Sequence, residues 1–224
     1  RWKERDPNWK PAAYQKEQDP IRGVFAYVAD GLLQPGEEAP AHQPQLLPGQ
    51  VKLKNINGDD KLNEEDMVLI GRNDPKFIFG FNNNFSYKNF DLNIYMYGQV
   101  GKIAGANSYY DAWGSYGNRI KLGQNVPVSF KDAWSSDNQT STRPSFIESA
   151  YGTGDLFLQK ISFLRIRNIT LGYTVPISKS ICNRLRVYAD INNPCVWTNW
   201  KGQDPETDSN TNAYPNVTSF SIGV

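Results

Sequence analysis

Alternation of hydrophobic and polar residues is the clearest signal along the chain. Between residues 77 and 100, one parity carries aromatic and aliphatic side chains, and the other carries mostly Asn, Ser and Tyr. A polar pair, Lys88-Asn89, interrupts the pattern in the middle. A period of two residues is typical of a β-strand with one apolar and one polar face. The segment therefore predicts two antiparallel strands joined by a tight turn.

Later segments repeat this pattern. Residues 169–175 and 185–191 alternate over their whole length, and residues 220–224 alternate up to the last position. Residues 164–166 have their apolar side chains on the opposite parity to 169–175, which predicts a β-bulge near Arg167-Asn168. The chain is therefore predicted to be all-β and built from antiparallel strands.

The connections between the predicted strands are alternately short and long. The Lys88-Asn89 turn and the 176–184 connection are short, whereas the connections at 101–155 and 194–217 are long. Outer-membrane barrels have short periplasmic turns and long extracellular loops, and their tilted strands need about 9–11 residues to cross the bilayer. Soluble β-sandwiches rarely contain loops of more than about 15 residues. We therefore predict strands of a transmembrane β-barrel with long extracellular loops, with a soluble β-sandwich as the alternative.

Composition and motifs exclude several functional classes. Lys and Arg total 24 against 23 Asp and Glu, and no basic stripe indicates a nucleic-acid partner. The sequence has no apolar run long enough for a transmembrane helix and no nucleophile, zinc-protease or phosphate-loop motif. The single histidine, His42, lies in a Pro-rich stretch. We expect no catalytic activity and assign no catalytic residue.

Residues 55–66 have the spacing of an EF-hand-like calcium loop. Oxygen ligands fall at positions 1, 3, 5, 7, 9 and 12 and would come from Asn55, Asn57, Asp59, Lys61 (through its backbone carbonyl), Asn63 and Asp66. The loop departs from the full pattern because position 1 is Asn, position 6 is Asp60 rather than Gly, and position 12 is Asp. We expect a Ca²⁺ site of modest affinity, and an Asx-rich turn without an ion is the alternative.

Aromatic residues make up 13% of the chain, and several fall in the predicted long loops. Flat, amphipathic rings stack on sugars or peptides while polar neighbours bond the substituents. The candidate ligand-binding residues are Tyr109, Tyr110, Trp113, Trp134, Trp197 and Trp200. The alternative is that these rings lie at the membrane interface or pack the loops together.

Three groups of longer motifs carry a family resemblance. They are Leu47-Pro-Gly-Gln-Val-Lys-Leu-Lys-Asn-Ile-Asn57-Gly-Asp59, then Phe79-Gly-Phe81-Asn with Phe85-Ser-Tyr87-Lys-Asn-Phe90-Asp-Leu92, and then Ile161-Ser-Phe163-Leu-Arg165-Ile-Arg-Asn168-Ile-Thr-Leu171-Gly-Tyr173 with Leu185-Arg-Val-Tyr188. In content and order they resemble the C-terminal region of SusC/RagA-type TonB-linked outer-membrane transporters.

The resemblance implies a large barrel in the bacterial outer membrane, of which this chain is a C-terminal fragment without the plug or TonB box. It implies TonB-dependent import of glycans or peptides, with TonB acting through the absent N-terminal part and a SusD-like surface lipoprotein as partner. On this interpretation residues 1–66 form an extracellular segment with the calcium loop. Residues 67–224 form barrel strands in contact with lipid, together with extracellular loops. A soluble, calcium-stabilised β-sandwich that binds carbohydrate is the alternative.

Overall fold

The structure, a computed structural model, describes residues 12, 15–16, 19–20, 22–105, 123, 125, 128–146, 149–177, 184–202, 204–207 and 214–224. The chain divides into two compact units. The loop unit comprises Arg1–Asn73 and Ile103–Gln159, and the sheet unit comprises Asp74–Lys102 and Lys160–Val224. Across the described ranges, no helix has the length and apolarity to cross a membrane.

The loop unit contains short strands in two separate antiparallel pairs, β1 with β4 and β2 with β3. Their bounds are Gly23–Ala26 for β1, Ala29–Leu32 for β2, Val51–Leu53 for β3 and Val68–Arg72 for β4. Two short 3-10 helices, Glu64–Asp66 and Val128–Asp132, lie outside these strands.

The core of the loop unit is built around β2 and β3. Leu32, Val51 and Leu53 are buried there, with the partly buried Trp134 packed against them. The fully buried side chain of Gln43 accepts from Leu53 N at 2.7 Å and donates to Val51 O at 3.4 Å. Because buried backbone polar groups need partners, these two bonds satisfy the edge of β3 that pairs with no other strand among the described residues.

The sheet unit is a five-stranded antiparallel meander in the order β5-β6-β7-β8-β9. The strands are β5 Phe77–Tyr87, β6 Phe90–Gly105, β7 Leu158–Val175, β8 Leu185–Thr198 and β9 Ser219–Gly223, with the last residues of β6 and the first of β7 belonging to the loop unit. The described residues thus form strands, turns and short 3-10 helices, and the predicted all-β, antiparallel class is confirmed.

The predicted hairpin is confirmed. Every residue of β5 pairs with β6 in one unbroken register, from Phe77 opposite Val100 to Tyr87 opposite Phe90. Lys88 has a φ of 53°, so the two-residue turn is tight and uses the left-handed conformation that hairpin turns require.

The predicted bulge is also confirmed, with its extra residue on the neighbouring strand. Ile166 pairs with Cys195 and Asn168 pairs with Asn192, so one residue of β7 faces both Asn193 and Pro194 of β8. Asn193 has a φ of 50°. The sequence predicts that this strand ends near Asn193, but β8 continues to Thr198. The bulge makes this possible, because it leaves Pro194 at a position where no ladder N–H is required.

Candidate functional site

The sheet unit has one apolar face. The register sets Phe85 opposite Leu92 and Tyr87 opposite Phe90, so the apolar parities of β5 and β6 lie on one side. Phe90 contacts Tyr173 with ring centroids 4.6 Å apart, which extends this side onto β7. The face continues through the pairs Ile169–Ile191, Leu171–Ala189, Tyr173–Val187, Val175–Leu185, Phe220–Ile191 and Ile222–Ala189. We call this surface the apolar face.

The apolar face is exposed. Side chains with more than half of their surface accessible include Phe77, Phe81, Phe85, Phe90, Phe220 and Ile222. Phe77, Phe79 and Phe81 form a ladder with successive ring centroids 5.7 and 5.6 Å apart. Large exposed apolar patches mark interaction or membrane surfaces in proteins. The chemistry of this face therefore suits contact with hydrocarbon.

The opposite side of the sheet, which we call the polar face, carries Asn82, Asn84, Asp91, Asn93, Tyr95, Tyr97, Asn168, Thr170, Arg186, Asp190 and Asn192. On β5 and β6, Asn93 Nδ2 donates to Asn82 Oδ1 at 2.7 Å and to Asn84 Oδ1 at 2.6 Å. These cross-strand amide bonds stabilise the hairpin and leave a hydrophilic surface.

A second hydrogen-bond network lies on the polar face of β7 and β8. Asp190 Oδ1 accepts from Asn168 Nδ2 at 2.5 Å and from Thr170 Oγ1 at 2.6 Å, and its Oδ2 accepts from Asn192 Nδ2 at 2.7 Å. The one carboxylate organises three neighbouring side chains, as expected for a polar wall in contact with water.

An ion pair joins β6 to β8 on the same polar face. Arg186 donates from Nε to Asp91 Oδ1 at 3.0 Å and from Nη2 to Asp91 Oδ2 at 2.5 Å. Planar, two-bond contacts of this kind fix geometry as well as charge. In the sequence, the parity opposite the apolar positions is the one signal for these network residues, and it does not show which of them bond to each other.

The predicted calcium loop is a chain of Asx turns. The Oδ1 atoms of Asn55, Asn57, Asp59 and Asn63 accept from the backbone N–H of Gly58, Asp59, Lys61 and Glu65, respectively. Short polar side chains make such local bonds to the backbone that follows them. Asp60 has a φ of 57°, so it adopts the left-handed turn for which the standard loop uses glycine.

Asp66 closes this loop from a fully buried position. Its Oδ1 accepts from Ile56 N at 2.7 Å and Asn57 N at 3.4 Å, and its Oδ2 accepts from Asn63 N at 3.0 Å. Burial acts to raise the pKa of Asp66, but the backbone N–H bonds outweigh it and hold that pKa below its usual value. The loop therefore contains an ionised, buried carboxylate.

The candidate ligands of the calcium loop are mostly neutral. Asp59 and Asp66 are the two carboxylates among the six candidates, and the others are amide or backbone oxygens. Within the described residues, no group of three or more His, Cys, Asp or Glu side chains is placed to hold a metal. The calcium site thus depends on amide and carbonyl oxygens and stays a prediction.

The candidate ligand-binding aromatics have different environments. Trp134 packs on the core of the loop unit and donates Nε1 to Gln34 Oε1 at 3.4 Å. Trp200 is buried, whereas Trp197 is exposed and lies on β8 rather than in the loop where the sequence placed it. Tyr109, Tyr110 and Trp113 lie outside the described residues. Ligand binding by any of the six stays a prediction.

Known proteins resemble this chain in sequence. No protein-family model matches it. It is 27% identical over 232 residues to TonB-dependent receptor P3 of Formosa agariphila, covering 93% of this chain and 22% of that protein. It is 26% identical over 176 residues to TonB-dependent receptor SusC of Bacteroides thetaiotaomicron, covering 75% of this chain and 17% of that protein. The chain thus spans about a fifth of the length of these relatives.

Solved structures share the fold. The RagAB peptide importer in its "open-open" state matches with a TM-score of 0.64 and 21% identity, covering 89% of this chain and 21% of the matched chain. A second structure of the RagAB peptide transporter gives the same TM-score and identity over 22% of its chain. At this identity the match establishes the fold alone.

Proposed function

The chain matches a region of SusC/RagA-type TonB-dependent transporters in sequence and in fold, as its motifs predicted, and on that basis we propose that it forms part of the barrel wall of an outer-membrane importer. The observation that carries the proposal is the exposed apolar face of the sheet unit, backed by a hydrogen-bonded polar face. In a transmembrane barrel the first would contact lipid and the second would face the aqueous lumen.

Strand length supports the barrel proposal. β5 has 11 residues, β6 has 16, β7 has 18 and β8 has 14. A tilted strand needs about 9–11 residues to cross the hydrocarbon core, so these four are long enough. In the alternative, a soluble β-sandwich, each apolar face is buried against a second sheet. The exposed rings of Phe81 and Phe85 favour the barrel.

The turns suggest an orientation for the proposed barrel. The tight Lys88-Asn89 turn would lie at the periplasmic side, because periplasmic turns are short. Residues 1–66, with the calcium loop, and the long connections of the remaining chain would then be extracellular. Lys88 places its Nζ 5.4 Å from the centroid of the Tyr87 ring, a pairing suited to the interface between lipid and water.

The proposed activity is uptake and not catalysis. By similarity to SusC and to the RagAB peptide importer, we propose import of glycans or peptides with a SusD-like surface lipoprotein. TonB would supply the energy through a part of the protein outside these residues.

We further propose that the loop at 55–66 binds Ca²⁺ and stabilises the extracellular segment. The left-handed turn at Asp60 and the buried carboxylate of Asp66 support this, since both features belong to a closed cation loop. Asp59→Asn keeps the Asx turn and removes one charge, so it should weaken Ca²⁺ binding in isothermal titration. Glu38→Gln, outside the loop, is the control. No heat of Ca²⁺ binding to the unaltered protein would rule the site out.

The importer proposal is tested on the polypeptide that contains this chain, in the cells that produce it. We expect that polypeptide in the outer-membrane fraction, several times heavier than 25.4 kDa, and with a gel mobility that changes on boiling. A soluble protein of about that mass with unchanged mobility would contradict the barrel and favour the β-sandwich.

A further inference from the structure

We propose that the polar face of β5 and β6 carries a contact site for a neutral oligosaccharide, which we call the tyrosine-amide site. It consists of Tyr95 and Tyr97 with the side-chain amides of Asn82, Asn84 and Asn93. The inference rests on the proposed importer function and deepens it, because it names the substrate class and the wall residues that touch the substrate.

The two tyrosine rings form a supported platform. Tyr95 and Tyr97 lie on the same face of β6, with ring centroids 6.4 Å apart and planes inclined by 15°. The buried Phe163 meets Tyr97 edge-on, with centroids 5.6 Å apart and planes at 89°. Tyr97 is thus braced by the sheet, and Tyr95 beside it is 40% exposed. A ring fixed before binding loses little side-chain entropy when a ligand stacks on it.

Side-chain amides lie on the same face of the hairpin as the exposed ring. Asn82 lies directly opposite Tyr95, and Asn84 lies opposite Asn93 one pair further on the same face. The bonds from Asn93 Nδ2 use the side-chain oxygens of Asn82 and Asn84. These bonds do not use the Nδ2 donors of Asn82 and Asn84 or the Oδ1 acceptor of Asn93. Donors and acceptors beside a flat ring are the chemistry that a sugar with ring hydroxyls requires.

The charge of the site favours a neutral sugar over a peptide. Phenols and amides carry no formal charge. Asp91 and Arg186, elsewhere on the polar face, bind each other through two hydrogen bonds. Peptide termini and charged side chains are held best by charge-assisted bonds, which the tyrosine-amide site does not offer. The phenol and amide groups of this site can instead form hydrogen bonds with the neutral hydroxyls of a sugar.

Gly80 leaves space next to the exposed ring. It pairs with Tyr97, and a Cβ built at Gly80 would lie 3.8 Å from Tyr95 Cε2 and Oη, which is ordinary contact. A methyl group therefore fits without displacing the backbone. A leucine at the same position would extend over the ring of Tyr95 and occupy the space proposed for the sugar.

The test uses the full-length protein that contains this chain, purified in detergent. Malto-, cello-, xylo- and mannohexaose are titrated by calorimetry, in parallel with an uncharged and a charged hexapeptide. We expect at least one hexaose to bind, and Tyr95→Ala and Gly80→Leu each to weaken that binding tenfold or more. Gly80→Ala is the matched control and should stay within about twofold, because its methyl group meets only ordinary contacts.

Accessibility is tested separately, since another part of the same protein could cover this surface. In full-length protein whose native cysteines, Cys182 and Cys195 among them, are replaced by serine, a Tyr95→Cys variant should react with a water-soluble maleimide. Bound hexaose should slow the reaction. A cysteine that is inert without any sugar would overturn the inference, because the site would then be covered by protein.

The remaining outcomes separate this inference from the function on which it rests. Hexaose binding that is unchanged in Tyr95→Ala and Gly80→Leu overturns the tyrosine-amide site, as does binding of peptides alone or of no probe. If the protein is still heat-modifiable and in the outer membrane, the importer proposal survives those results. A soluble protein that is not heat-modifiable overturns both.

Discussion

The guanidinium of Arg165 and the carboxylate of Asp204 form a buried ion pair in the sheet unit. Arg165 Nη2 donates to Asp204 Oδ1 at 2.7 Å, and the two side chains are 3% and 4% exposed. Asp204 also accepts from the backbone N–H of Glu206 and of Asn216, each at 2.9 Å. One buried carboxylate therefore ties β7 to both described ends of the connection between β8 and β9.

Breaking this pair should loosen that connection. Asp204→Ala removes one of the two carboxylates beside the buried Arg165 guanidinium and leaves Glu206 Oε2, 2.9 Å from Nε, as the other. Removing a partner from a buried ion pair costs about 3–5 kcal/mol of stability, and we expect the lower end of that range here because Glu206 stays in place. Hydrogen exchange should rise in residues 204–207 and 214–218. The control is Lys54→Ala, which removes an exposed pair with Asp30 at 3.6 Å and should cost less than about 1 kcal/mol. Equal effects of the two variants would show that burial of the Arg165–Asp204 pair does not matter.

The apolar face should reject charge while the polar face tolerates it. Ile94 and Asn84 are at the same depth, because Asn84 pairs with Asn93 next to Ile94, but they lie on opposite faces. Ile94→Arg should lower the free energy of unfolding in lipid vesicles by about 2–4 kcal/mol if it lies near mid-bilayer. Asn84→Arg should have a much smaller effect. A larger loss for Asn84→Arg would reverse the assignment of the two faces.

Acid should open the loop at 55–66 through Asp66. Because its pKa is lowered in the folded state, Asp66 contributes stability that is present above the usual pKa of about 3.9 and is lost as pH falls through its lower, folded pKa. Backbone amides of Ile56 and Asn63 should then exchange faster, after correction for intrinsic rates. Asp66→Asn should show fast exchange already at neutral pH, since an amide supplies one acceptor oxygen instead of two. Slow exchange in that variant would contradict this role.

Two glycines with the same backbone conformation should respond differently to alanine. Gly36 and Gly49 both have a φ of 82°. A Cβ at Gly36 meets nothing within 4 Å, whereas a Cβ at Gly49 would lie 2.2 Å from Trp134 Cε3. Gly36→Ala should cost about 1–2 kcal/mol for the left-handed backbone, and Gly49→Ala about 1–3 kcal/mol more for overpacking. Denaturant unfolding measures the loss of stability in each variant. Equal losses would mean that the Trp134 side chain moves aside at no cost, which would contradict the prediction.

The long strands could be predicted because apolar residues recur at every second position along them, with a change of parity at the bulge. Between Phe77 and Val100 this was enough to place β5, the turn at Lys88-Asn89 and the part of β6 that pairs with β5. The end of β6 was wrong, because the strand continues to Gly105, into the segment predicted as a loop. The change of parity between Ile166 and Ile169 was enough to locate the bulge. Alternation is a local property, so it can be counted without knowing the partner strand.

The short strands of the loop unit could not be predicted in the same way. They have 3–5 residues, too few for a period to be counted. The partner of β1 is also distant in the sequence, since Gly23 pairs with Arg72. The continuation of β8 beyond Asn193 was missed for another reason. Proline signals the end of a strand, and only the bulge makes Pro194 compatible with pairing on β7.

The candidate site was predicted only where its residues are neighbours in sequence. Spacing alone marked the loop from Asn55 to Asp66, and the structure adds the left-handed turn at Asp60. The burial of an aromatic ring depends on residues that are distant in sequence, as Val51 is from Trp134. A local sequence pattern therefore cannot predict it. The same holds for Arg165 and Asp204, which are 39 residues apart.

In the proposed barrel, one face of this sheet contacts lipid and the other contacts water. The test is a pair of single-cysteine variants on adjacent residues of β5, Asn84→Cys and Phe85→Cys. They are made in full-length protein whose native cysteines, Cys182 and Cys195 among them, are replaced by serine. Each carries a bimane fluorophore in vesicles that contain brominated lipid. We predict strong quenching at position 85 and little at position 84. Equal quenching at both positions, or none at position 85, would contradict the lipid-facing assignment.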